Sequence, residues 1–223
     1  MGTERSNSWR TTRMSEYELK VPLPEGEIRR LKVKDAVYLT GEVLTVRDTA
    51  YERILKALDS GKTLPFSLKD KAIWHAGPIT RPEGTEWKAV SVGSTTSSRF
   101  SGPASRLIEA LGVRMVIGKG FMGPQVLEAS AKFGAVYAHT AGGTAAYYAS
   151  QIPEVREVHW LDLGMPAAVW VLRVERLGPL IVAMDSHGKN LFDDLQARAD
   201  ATLRKILQGH GIDPQHNYLW WPR

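Results

Sequence analysis

Between residues 86 and 149 one pattern occurs three times in succession, and it constrains the fold more than any other feature of the chain. Each unit runs from an apolar strand-like segment through a loop of small residues into an amphipathic helical stretch. The first is EWKAVSV (86–92), the polar loop Gly93 to Ser98, and a helix carrying Leu107, Ile108 and Leu111 that Gly112 ends. The second is RMVIG (114–118), Lys119 and Gly120, and a helix from Pro124 to Phe133 ended by Gly134. AVYAH (135–139), the loop Thr140 to Gly143 and a short helix from Thr144 make the third. Parallel strands need a crossover, which a helix supplies, so this alternation predicts an α/β fold with a parallel or mixed sheet and flanking helices. In such folds ligands gather at the loops that follow the strands.

Around this centre the chain divides into a flexible extension over 1–20, a domain over 21–208 and an aromatic tail over 209–223. Val37, Leu39 and Val43 alternate with polar residues in a strand that runs to Arg47. Thr49 and Glu52 have the spacing of a capping box for a helix with Tyr51, Ile54, Leu55 and Leu58 on one face, closed by Gly61. AIWHA (72–76) and EWKAVSV read as strands separated by a turn around Gly77, Pro78, Pro82 and Gly84. Further strands are expected near 155–160, 167–175 and 179–185. A helix over 191–207 should turn Leu195, Leu203 and Ile206 inward, and Tyr218, Trp220 and Trp221 should strap the tail to the body.

Composition narrows the function classes. At ~150 residues per domain, 223 residues suffice for one substantial core, and 43% hydrophobic residues exclude global disorder. The net charge of +5 is spread along the chain, without the basic stripe that a nucleic-acid binder would show. There is no cysteine, so this chain supplies no disulfide and no thiolate metal ligand. The longest apolar run, Met165 to Leu172, falls far short of the ~18 residues of a membrane span. With no secretory apolar core at the N-terminus, a cytoplasmic location is expected.

Arg47, Arg99 and Lys119 each fall beside a strand-to-helix loop with small residues close by. Helix N-termini attract anions, and an arginine fork matches a carboxylate, so the three together fit a small polyanion. Taken singly, each also reads as an ordinary solvated surface cation. Thr95, in the hydroxyl-rich loop before Arg99, can move a proton where a charged neighbour assists, although loop and capping duty accounts for such residues too. Gly118-Lys119-Gly120 matches neither nucleotide fingerprint, and the six histidines show no metal spacing, so most read as structural. Asp185 to Gly188 reads as a strand-ending turn, because the chain lacks the GxSxG elbow of a hydrolase.

The ordered set TVRDTA (45–50), HAGP (75–78), GSTTSSR (93–99), IGKG (117–120), AGG (141–143), LGMPAAVW (163–170) and MDSHGKN (184–190) resembles the β subunit of two-subunit class I fumarases and L(+)-tartrate dehydratases. The same domain forms the C-terminal half of single-chain class I fumarases, and the resemblance runs from about Leu23 to Leu195. It implies a swivelling β/β/α domain that closes over a four-iron four-sulfur cluster held by cysteines of a partner α subunit. The implied activity is that of a lyase, a hydro-lyase converting a C4 dicarboxylate, with fumarate and malate first and L(+)-tartrate as the alternative. A non-catalytic small-anion-binding module is the competing class.

On the family motifs Arg47, Arg99 and Lys119 take the substrate carboxylates, with Gly142 and Gly143 beside them. Thr95 and Lys119 are the catalytic candidates, Thr95 in acid/base work, while an iron of the partner's cluster acts as Lewis acid. No metal ligand is implied in this chain. The implied assembly is two α with two β subunits, or a homodimer of this chain. The sequence departs from the commoner pattern at Ser94, Phe100 and Phe121, where Pro, Met and Gly are expected. Each abuts a site candidate and so bears on substrate identity.

Overall fold

Four parallel strands, β2 (Ala36–Thr45), β3 (Ala72–Trp74), β6 (Met115–Gly118) and β7 (Val136–His139), lie side by side in that order. Extended chain sends neighbouring side chains to opposite faces, and here both faces are apolar. Val43, Trp74, Ile117 and Ala138 enter one buried cluster, while Leu44, Ile73, Val116 and Tyr137 enter the other. Such a sheet needs cover on both sides. Helices α2 (Asp48–Asp59), α3 (Ser101–Leu111) and α4 (Pro124–Phe133) supply it on the second face through Ile54, Leu107 and Val126. The computed structural model that shows this describes residues 14–213.

One long strand, β9 (Val169–Met184), runs antiparallel to both β2 and β7, so β2, β3, β6, β7 and β9 close into a five-stranded ring. β1 (Glu16–Lys20) adds to β2 in parallel, and β8 (Glu154–His159) adds to β9. β4 (Ala76–Glu83) and β5 (Glu86–Ser94) form a separate hairpin, against which the short α5 (Ala145–Ala149) packs. α1 (Glu25–Ile28) follows β1, and α6 (Leu191–Gly209) closes the described chain. The expected mixed sheet with flanking helices is borne out.

Several expectations need correction. The first of the three strand–loop–helix units does not enter the main sheet, because β5 finds its partner in β4. The Gly/Pro turn shrinks to the two residues between those strands. Pro78 and Pro82 lie inside β4, which pairs on one side only and so tolerates residues without an N–H. The strands expected at 167–175 and 179–185 are one, since Leu177 and Leu180 both pair with β2 across the Gly-Pro step. There is no capping box: the Ala50 N–H already reaches the Arg47 carbonyl at 2.9 Å, so the helix starts ahead of Thr49. Residues 16–20, assigned to a flexible extension, form β1, whereas the rest of that extension up to residue 13 and the aromatic tail from 214 lie outside the described residues. α6 is seated by its first turn, where Leu191 and Phe192 pack and Asn190 Oδ1 accepts from the Phe192 N–H. Beyond that turn Leu195, Leu203 and Ile206 are about half exposed rather than inward.

The ring depends on close packing where β2 is irregular, between Leu39 and Gly41. Gly41 has φ +124, and a Cβ there would sit 2.9 Å from Val21 Cβ and 3.1 Å from the Val21 carbonyl oxygen. Gly41→Ala is therefore expected to lower the unfolding free energy by about 2 kcal/mol or more, read from urea melts. Gly102→Ala, in α3 with open space around it, should be neutral or slightly stabilising; equal losses from both would contradict this account of β2.

Candidate functional site

The carboxyl ends of β2, β3, β6 and β7 deliver Arg47, His75, Lys119 and the loop from Thr140 to one edge of the ring. Across this edge runs the segment after β5. The Thr95 N–H donates to the His75 carbonyl at 2.7 Å, Thr96 forms a parallel bridge with Lys119, and the Ser97 N–H donates to the Lys119 carbonyl at 2.9 Å. The sequence-distant candidates are thus fastened together by main chain.

Arg47 stands at the N-cap of α2, half-buried, with Nε donating to Asp48 Oδ2 at 2.6 Å. Its Nη1 fills the space a side chain would need at residue 77: a Cβ on Gly77 would lie 2.5 Å away. Among the described residues Nη1 and Nη2 of Arg47 donate no hydrogen bond. Arg99 is committed differently. Its Nε and Nη2 donate to Asp48 Oδ1 and Oδ2 at 3.0 and 3.2 Å, Nη1 donates to the Thr96 carbonyl at 3.0 Å, and Nη2 also reaches Thr95 Oγ1 at 3.3 Å. The guanidinium lies 4.3 Å over the ring of Phe100, one of the departures from the family pattern.

Asp48 thus joins the two arginines. Partial burial works to raise its pKa, but hydrogen bonds from Arg99 and Arg47 outweigh that and hold the carboxyl below its ordinary value. Lys119 is linked to the pair by backbone rather than by side-chain contact, and its Cδ lies 3.9 Å from where a Gly142 Cβ would be. Gly142 and Gly143 are exposed beside it. Ser94 Oγ accepts from Trp74 Nε1 and pairs with the Thr140 hydroxyl, both at 2.7 Å, and so ties the end of β5 to β3 and to the loop after β7. Phe121 lines an apolar groove between α4 and α6 whose lining includes neither arginine.

Beneath Thr95 lies a polar floor that the sequence reading passed over. His75 is fully buried, with Nε2 2.7 Å from the Tyr51 hydroxyl and Nδ1 2.9 Å from Ser97 Oγ. Burial, reinforced by the Arg99 charge, depresses its pKa to about 3, so the ring is neutral; burial likewise pushes the Tyr51 hydroxyl well up. Gly118 leaves room for this network, since a Cβ there would fall 1.9 Å from Ser97 Oγ. HAGP and TVRDTA were visible as motifs, yet an acid in a first helical turn reads as dipole complement, and Tyr51 reads as apolar packing. Asp185 is a turn residue as expected, accepting from the Val33, His187 and Lys189 N–H groups.

Comparison with known proteins bears out the resemblance read from the motifs. The family described as Fumarase C-terminus matches residues 3–195. The L(+)-tartrate dehydratase subunit beta of Escherichia coli (strain K12) is 43% identical over 194 residues, covering 85% of this chain and 95% of that protein. A putative L(+)-tartrate dehydratase subunit beta of Methanocaldococcus jannaschii is 39% identical, covering 83% and 95%. A putative fumarate hydratase class I of Geobacillus stearothermophilus is 36% identical over 85% of this chain but only 35% of its own length.

The buried histidine makes stability depend on pH. The unfolded chain protonates His75 near the ordinary value of 6.5, whereas the folded chain does so only near 3, so this contribution is full above 6.5 and is lost as pH falls through that window. Wild-type unfolding free energy should fall from His75 alone by about 1.4 kcal/mol per pH unit inside the window. In His75→Asn that part of the slope should vanish, so that the two stability curves approach each other toward acid. Parallel curves from urea melts between about pH 7 and pH 4.5 would refute the assignment.

Proposed function

The chain belongs to the Fumarase C-terminus family, and from that membership we propose that it is the β subunit of an iron–sulfur hydro-lyase acting on a C4 dicarboxylate together with an α subunit. The observation that supports this reading is that Arg99 Nη2 reaches Thr95 Oγ1 at 3.3 Å, Asp48 joins Arg99 to Arg47, and main chain bridges Thr96 to Lys119, all at one edge of the ring. Two carboxylates and a carbon-bound proton are what such a set addresses.

In this reading the roles divide among the four residues. Nη1 and Nη2 of Arg47 present a fork to one substrate carboxylate, and Lys119, beside the open Gly142–Gly143 loop, meets the other. Thr95 exchanges the proton at the carbon next to a carboxylate. Its oxygen has little basicity of its own, and Arg99 Nη2 at 3.3 Å favours the anionic form that accepts the proton. The implied four-iron four-sulfur cluster does not fit this chain: it has no cysteine, and among the described residues no three His, Asp or Glu are grouped to hold a metal. In this reading the α subunit holds it. Fumarate and malate are the first substrate pair. L(+)-tartrate is the second reading, favoured because the relatives matched over 95% of their length bear that name.

Co-expression with the α subunit, anaerobic cluster reconstitution and a panel of C4 dicarboxylates test the proposal. The complex should turn over one of them and the isolated chain none; an inactive complex that still binds small anions would favour the binding-module reading. In the active complex Thr95→Ala should lower kcat by about 10² or more, while Thr95→Ser keeps measurable activity. A rise in KM alone would make Thr95 a binding residue.

A further inference from the structure

We infer that Asp48 is a positioning residue of the dicarboxylate site, whose carboxylate holds the Arg47 and Arg99 forks in register beside Thr95. The inference rests on the hydro-lyase reading and adds to it the acid that joins the two arginines.

Three observations lead to it. Both oxygens of the Asp48 carboxylate are used, and Oδ2 alone receives Arg47 Nε at 2.6 Å and Arg99 Nη2 at 3.2 Å. Two guanidiniums meeting on one oxygen repel each other unless that oxygen carries the compensating charge. Among the described residues four of the five Arg99 N–H groups donate, to both Asp48 oxygens, the Thr96 carbonyl and Thr95 Oγ1, and its face is stacked on Phe100. Among the described residues Arg47 donates only through Nε, with Nη1 packed against Gly77. The third observation is the backbone: Asp48 has φ +39 at the start of α2, a left-handed conformation that side chains other than glycine adopt at a cost. That conformation persists at the residue whose carboxylate faces both cations.

A carboxylate arriving at this edge meets the Arg47 fork already oriented. Arg99 keeps one Nη1 N–H for the same ligand while Asp48 and Thr95 hold the rest of its fork. Asp48 therefore acts through both arginines.

The test uses the reconstituted complex with its α subunit and the C4 dicarboxylate that it turns over, comparing wild type, Asp48→Asn, Asp48→Glu and Arg47→Lys. Asp48→Asn keeps the shape and removes the charge; it should raise KM roughly tenfold or more, with kcat falling by a smaller factor. Asp48→Glu restores the charge and should return KM to within about threefold of wild type. An unchanged or lowered KM in Asp48→Asn would overturn the proposal and make Asp48 inert or a competitor for the arginines. A tenfold rise in Asp48→Glu would also overturn it, and this arm stands even if the Asn variant fails to fold. Arg47→Lys should lose about tenfold or more in kcat/KM. If Arg47→Lys loses activity while Asp48→Asn does not, Asp48 alone is misassigned; if Arg47→Lys matches wild type, the carboxylate site itself is wrong.

Discussion

The antiparallel pairing of β9 with β2 is the constraint from which the rest of the molecule follows. Without it β2, β3, β6 and β7 would be an open sheet with strands of only three or four residues at its centre. Such strands have few ladder hydrogen bonds of their own. Sixteen residues of β9, with partners on both sides, tie the two ends of that sheet together. The loops after the four parallel strands are thereby held at fixed spacing. An Arg47 that follows β2 and a Lys119 that follows β6 can then serve one small ligand.

The central strands and helices were legible because each obeys a local rule. Gly112 and Gly134 end α3 and α4 in left-handed geometry, and Pro124 opens α4. Partner choice was not legible. EWKAVSV has the same local character whether it joins the ring or the hairpin, and only the tertiary position of β4 decides. Leu195, Leu203 and Ile206 recur at helical spacing and so imply a buried face, yet spacing cannot say whether a surface stands opposite them, and among the described residues they stay half exposed.

The candidate site shows the same division. Cations and hydroxyls in small-residue loops announce themselves by type, which is why Arg47, Thr95, Arg99 and Lys119 could be grouped in advance. The residues that organise them do not. Asp48 looks like a helix-start acid, Tyr51 like a core aromatic, and His75 like a structural histidine, and each of those descriptions is true as far as it goes. Their second duties depend on contacts 22 to 51 residues apart in sequence. Ser94 belongs with them, since the hydroxyl that replaces an expected proline earns its place through Trp74 and Thr140.

The buried His75 has one more consequence. With its pKa near 3, the imidazole is no proton reservoir: in mildly acidic solution it adds no charge beneath Thr95. The floor of the site behaves as a fixed dipolar wall whose hydrogen bonds to Tyr51 and Ser97 keep the same sense as the solution is acidified. A dianion approaching the arginine edge therefore meets a floor potential that mild acid does not alter, and what it gains there is set by its own state of ionisation.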